Sequence, residues 1–258
     1  MLHLILPDQM SYGLATADLE PSDTLLLVET GYLFRPGVHR RKIALLAAAG
    51  RHLVERLRSE GRQVVHRTLD EDSHERPLEE HLMAAVAETG AGRVRLLRPG
   101  SRAELSAAER GAEAAGTELV VDEHPHFYSS PAEFSDHARG RKQLVMEYFY
   151  RELRKRYGVL LDLHGKPAGG EWNFDSKNRE AFGKEGPGEL PQPRRFEPDR
   201  LSHAAIESVR RTFPDNPGSL DDFSLPVTQE EAAEALADFL DHRLPLFGEY
   251  QDAMWLGE

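Results

Sequence analysis

LHLILPDQMSYGLATADLEPSDTLLLVE, residues 2–29, decides how the chain folds. It holds two short apolar runs, Leu2 to Leu6 and Thr24 to Glu29, and each ends in polar residues rather than in a longer helical pattern. Three more runs of the same kind follow: QVVHRT from Gln63 to Thr68, RVRLL from Arg93 to Leu97, and ELVVD from Glu118 to Asp122. Between them the apolar spacing is helical, over Val38 to Glu60, Pro77 to Thr89 and Ser101 to Ala115. Strands alternating with helices predict an α/β domain over residues 1–125, built on a five-stranded, parallel, Rossmann-like sheet covered on both faces. In the longest helix, Ile43, Leu46, Ala47, Leu53, Val54 and Leu57 are expected to face that sheet, with Arg40, Arg41 and Lys42 at a helix start where cations are disfavoured. A solvated face is the plain reading of Arg40.

Ligands of such sheets gather beyond the carboxyl ends of the strands, where strand order reverses. The first run ends in Pro7-Asp8-Gln9 and the second in Glu29-Thr30-Gly31-Tyr32, so polar groups stand where a ligand would. Neither GxGxxG nor GxxxxGK[ST] occurs, which removes the usual pyrophosphate turn and the P-loop. Asp8 and Gln9 could instead bond the rim of a planar heterocycle, with Glu29 accepting from its amide or hydroxyl groups. In the competing reading Asp8 caps a helix and Glu29 is solvated.

The chain has 258 residues, a net charge of -12 and no cysteine. The acidic balance argues against a uniformly basic nucleic-acid surface. Absence of cysteine excludes disulfides, thiolate catalysis and cysteinyl metal sites in this chain. No apolar stretch reaches eighteen residues, so no membrane span and a cytoplasmic location are expected. His74 and His81, or His124 and His126, lack the spacing of a metal site, and no catalytic residue is assigned.

From Glu133 to Phe182 runs EFSDHARGRKQLVMEYFYRELRKRYGVLLDLHGKPAGGEWNFDSKNREAF. Phe134, Ala138, Leu144, Val145, Phe149 and Leu153 recur at helical spacing beside a basic flank that includes Arg139, Arg141 and Lys142, and Gly158 ends the pattern. Glu147, among arginines, is expected to form ion pairs. Gly183 to Pro198 is the clearest linker, Leu201 to Arg211 reads as a helix, and Thr228 to Leu244 reads as another that opens with a Thr228–Glu231 capping box. Residues 126–200 therefore form an interdomain helix and linker, and 201–258 begin a helical region. Its tail, with Phe247, Tyr250, Met254, Trp255 and Leu256, is apolar enough to seek a partner or a second copy.

GRKQLVMEYFYRELRKRYGVLLD followed by PAGGEWNFDSKNR resembles the deoxyribodipyrimidine photolyase-related proteins, the iron–sulfur bacterial cryptochrome and photolyase group. LILPDQM and PVTQEEAAEALADFLDHRLPLFGEYQDAM are similar to that family in the same order. The resemblance implies a photolyase-type N-terminal domain carrying a lumazine-type antenna, here at Asp8, Gln9, Glu29, Tyr32, His39 and Lys42. It implies contacts to DNA or a neighbouring domain from Arg139, Arg141 and Lys142, with Trp172, Asn173 and Asn178 locking the loop on the helix. Light-dependent repair of DNA, or blue-light sensing, is what it implies for full-length members. Their FAD and iron–sulfur cluster belong to a later helical region, so the chain is expected to be the N-terminal portion of such a protein or a shortened relative. The alternative is a nucleotide-binding regulatory α/β module that does no photochemistry and docks on a partner protein.

Overall fold

The computed structural model describes residues 1–177, 179–248 and 250–255. Its five strands lie where the apolar runs place them: β1 Leu2–Ile5, β2 Thr24–Val28, β3 Gln63–Arg67, β4 Arg93–Leu97 and β5 Glu118–Asp122. All neighbours pair in parallel, in the order β3-β2-β1-β4-β5. Every residue of β1 and β2 is buried, as expected of inner strands covered on both faces, whereas β3 and β5 at the edges are only partly covered.

The first connection contains a short helix, α1 (Tyr12–Ala15). On one face of the sheet, Leu2, Leu4, Leu26 and Val94 pack with Leu78, Leu82 and Ala85 of α3 (Leu78–Thr89) and with Ala107 and Ala108 of α4 (Arg102–Ala114). On the other, Ile5, Leu25 and Leu27 meet Leu53, Val54 and Leu57 of α2 (Arg40–Ser59). The first half of α2 departs from expectation. Ile43 and Ala47 join a separate core with Ala205, Ile206 and Val209, and Leu46 packs on its margin. A 20-residue helix turns through more than five repeats of 3.6, so its apolar stripe serves two partners in succession.

The second partner is α7 (Arg200–Thr212), capped by Asp199, whose Oδ1 accepts from the Ser202 amide at 2.9 Å. Asn216 fixes the loop that follows, accepting from Gly37 N (3.1 Å) and donating to the carbonyls of Arg35 (3.0 Å) and Val38 (2.8 Å). Arg40 is half-buried rather than simply solvated: its Nε donates to Gly218 O at 2.7 Å. Arg41 donates to Ser219 O at 2.9 Å and pairs with Asp222. These loop carbonyls and a carboxylate explain the cations at the start of α2.

Contacts divide the chain into two compact units, one of Met1–Glu123 with Arg194–Ala237 and one of His124–Pro193 with Asp238–Glu258. The division differs from the sequence boundaries, because α7 and the turns after it lie in the same unit as the sheet. In the second unit the helical spacing from Phe134 to Leu153 is realised as two helices, α5 (Pro131–Ala138) and α6 (Met146–Tyr157). Gly140, at φ +74°, lies in the break, a conformation that costs other residues far more. Gly158 ends α6 in the left-handed region, as read from the sequence, and Ser130 and Glu133 close a capping box at the start of α5 that the sequence reading did not name. The last helices are α8 (Gln229–His242), with Glu231 N donating to Thr228 Oγ1 at 3.1 Å, and α9 (Leu244–Phe247). No helix among the described residues is long and apolar enough to cross a membrane.

Candidate functional site

Strand order reverses between β1 and β4, so the crevice beyond their carboxyl ends is where a sheet of this order receives ligand. Leu6-Pro7-Asp8-Gln9 turns there, closed by Gln9 N donating to Leu6 O at 2.9 Å. Asp8 is exposed and caps no helix, while Gln9 is 1% exposed. The Gln9 amide spans the seam: Nε2 donates to Leu97 O, at the tip of β4, at 2.9 Å. Since a carbonyl needs a donor, Nε2 must face it, and Gln9 Oε1 is left buried with no hydrogen-bond partner among the described residues.

A second unmatched acceptor lies at the start of α4. Ser101-Arg102-Ala103-Glu104 has the S-x-x-E pattern of a capping box, yet Ser101 makes no side-chain cap. Glu104 is instead 6% exposed, and its Oε2 has no partner among the described residues. Its Oε1 lies against Gly31, where an added Cβ would stand 3.5 Å away. Burial, and then the carboxylate of Asp8, push the Glu104 carboxyl up to about 7. Tyr32, 39% exposed, shares this environment: burial first, then Glu104 and Asp8, raise its phenol. Asp8 and Tyr32 thus share their surroundings with Glu104, which sequence reasoning missed although the S-x-x-E pattern was there to mark it.

Glu29 is neither solvated nor available to a ligand. Arg51 grips it from α2, with Nε to Oε1 at 3.0 Å and Nη2 to Oε2 at 3.2 Å, and the Leu69 amide donates to Oε2 at 2.8 Å. His66 stands 3.5 Å from Oε1. Burial alone would raise the Glu29 carboxyl, but His66 and Arg51 outweigh it and hold it below the usual range. The network continues from Arg51 to Ser208 Oγ (3.0 Å) and Asp70 (3.3 Å), so this carboxylate ties the sheet to α2 and α7.

His39 and Lys42 belong to a different contact. The His39 ring accepts from Arg41 N at 3.3 Å as the cap of α2 and lies so close to Gly218 that an added Cβ there would come 2.2 Å from its Cε1. Lys42 is exposed on the first turn of the same helix.

In the second unit, Trp172 receives cations from α6, with Arg154 at 5.0 Å, Lys155 at 5.3 Å and Arg151 at 5.7 Å from its ring. Arg154 is 6% exposed and also donates to the carbonyls of Val159 and Leu160. Asn173 makes a local turn, its Oδ1 accepting from Asp175 N at 2.7 Å. Arg139 pairs with Asp136 at 2.6 Å, and Arg141 with Glu152 at 3.0 Å and with His137 O at 2.6 Å, while Lys142 is exposed. Glu147 pairs with Arg151. Asn178 and Leu256, named from the sequence, lie outside the described residues. Among the described residues, no group of three histidine, cysteine, aspartate or glutamate side chains could hold a metal.

The strand order, with its reversal between β1 and β4, defines a doubly wound α/β protein. The family model described as deoxyribodipyrimidine photo-lyase-related protein matches residues 3–225, and the chain belongs to that family. A protein named (6-4) photolyase from Agrobacterium fabrum is 36% identical over 261 residues, covering 98% of this chain and 50% of that protein. The chain spans about half the length of that relative.

Proposed function

We propose that the unit built on the sheet is the pigment-holding element of a photolyase-related protein, and that a planar heterocycle, with a lumazine-type antenna as the leading candidate, enters the crevice between β1 and β4. The observation that carries this reading is the pair of buried, unmatched oxygens, Gln9 Oε1 and Glu104 Oε2, at the strand-order reversal. Leaving such groups unpaired costs about 1–3 kcal/mol each, and a ligand with N–H groups would relieve that cost. Asp8 and Tyr32 would meet the polar edge of the ring system. When bound, such a pigment supplies absorption in the near ultraviolet or blue; these residues hold and orient it.

Repair of DNA or light sensing belongs to this reading as the role of the protein that carries the pigment, supported by family membership and by the named relative. None of the FAD or iron–sulfur chemistry is assigned to side chains of this chain, which has no cysteine. DNA contact falls to the basic segment around Lys142, since Arg139 and Arg141 already have carboxylate partners. The nucleotide-binding alternative fits less well, because a crevice presenting Asp8, Glu104 and the Gln9 carbonyl oxygen repels phosphate. Purified protein is expected to be yellow, and mass analysis of the molecule released on denaturation is expected to give a phosphate-free heterocycle. A colourless protein that takes up neither lumazine nor flavin, and is stabilised by ATP, would overturn the reading.

A further inference from the structure

We infer that the apolar cavity of the second unit, walled by residues 182–191 on one side and by Phe239, Arg243 and α9 on the other, is a docking face for a second copy of this chain. The two copies meet about a two-fold axis, and Glu189 of each faces Arg243 of the other.

Apolar burial is shared unequally between the units: among the described residues of the second, Phe149 alone is a buried apolar side chain. A unit with so little interior of its own gains by pressing its apolar surface against more protein. The cavity measures about 480 Å³, and Leu190, Leu246 and Phe247 on its walls are each about half exposed. Its frame is fixed by aromatic packing. Phe182 stacks on Tyr250 with ring centroids 4.9 Å apart, and Trp255 closes behind Gly186, where an added Cβ would stand 2.9 Å from the indole. Charge then tells what covers it. Glu189 and Arg243 are the two charged residues that line the cavity, and they do not pair with each other. Glu189 has no ion pair among the described residues, while Arg243 donates from Nη2 to Asp238 at 2.9 Å, leaves its buried Nε unmatched and keeps about a quarter of its side chain exposed. A ligand or peptide of one sign answers only one of these two groups. A copy of the same surface answers both, because a two-fold contact sets residue i against j and j against i. Water excluded by the apolar walls strengthens both pairs.

Sedimentation velocity of the full chain, from about 1 to about 100 µM, reads the association, and a monomer–dimer equilibrium inside that range is expected. Glu189→Arg, a change on an exposed stretch that breaks no ion pair among the described residues, is expected to weaken the dimer about tenfold or more by setting like charges across the axis. Arg243→Glu should do the same. Mixed in equal amounts, the two variants carry opposite charges at both contacts and are expected to form a heterodimer that neither forms with itself. That recovery is not available to a variant that has merely lost its fold. A chain that stays monomeric throughout the range overturns the inference and leaves the face to another occupant. A dimer whose affinity Glu189→Arg leaves unchanged, or a mixture of the two variants that stays monomeric, overturns it as well.

Discussion

Arg51 and Glu29 meet through two parallel hydrogen bonds, 3.0 Å and 3.2 Å long, with both side chains less than a tenth exposed. The contact ties the tip of β2 to the middle of α2. Removing one partner strands the other charge in the interior, so Arg51→Ala or Glu29→Ala is predicted to lower stability by about 3–5 kcal/mol. Urea unfolding measures this. The double replacement Glu29→Leu with Arg51→Met should lose much less than the two single losses added, and simple additivity would show that the pair does not act as a unit.

Stability should carry a pH signature from Glu104. The folded chain favours its protonated form to about 7, against an ordinary value of 4.5, so the folded state binds more protons between those values. Its contribution is therefore full below pH 4.5 and is lost as pH rises through 7. Glu29 and Asp70, both held low, act with the opposite sign and lose their contribution as pH falls. Stability curves of the wild-type chain and Glu104→Gln should diverge over the Glu104 window, and parallel curves would refute the assignment.

Gly218 takes φ +95° with the His39 ring against its α-carbon. Gly218→Ala is predicted to cost about 1–3 kcal/mol, from backbone strain and from the clash. His39→Ala should remove the clash and leave the strain. A double-mutant cycle therefore yields a coupling energy of at least about 0.5 kcal/mol, and none if the ring turns aside freely.

Trp172 is held by Arg151, Arg154 and Lys155. At about 0.5–1 kcal/mol for an exposed cation–π contact, and more for the buried Arg154, Trp172→Ala should release the loop after α6 while leaving the sheet intact. Faster amide exchange over residues 159–177, with unchanged protection in β1 and β2, is the expected pattern. Unaltered exchange in that loop would mean that the indole does not pin it.

Much of the fold is legible in the sequence alone. The five strands were readable because inner parallel strands are short, continuous apolar runs, and LHLI and TLLLV admit little else. The position of Asp8, Gln9 and Tyr32 beyond the strand tips was legible because they follow those runs directly. Glu29 was not: the sequence shows a carboxylate at a strand tip, whereas its partner Arg51 is 22 residues away on a helix and meets it only once the helix has packed. The packing of His39 was hidden for a similar reason, since its neighbour Gly218 lies 179 residues on. Glu104 was missed because S-x-x-E has a local explanation, and only burial without a cap shows that the glutamate turned inward. The break between α5 and α6 was hidden because Phe134 and Phe149 still share one contact, with ring centroids 5.2 Å apart, so the periodicity survives an interrupted helix.

The most direct test is nuclear magnetic resonance of the labelled chain titrated with 6,7-dimethyl-8-ribityllumazine. The account predicts shifts concentrated in the Gln9 side-chain amide and the backbone amides of Gly31 and Glu104, with residues 139–177 undisturbed. Saturable binding whose shifts fall elsewhere, or a spectrum that lumazine leaves unchanged, would contradict it.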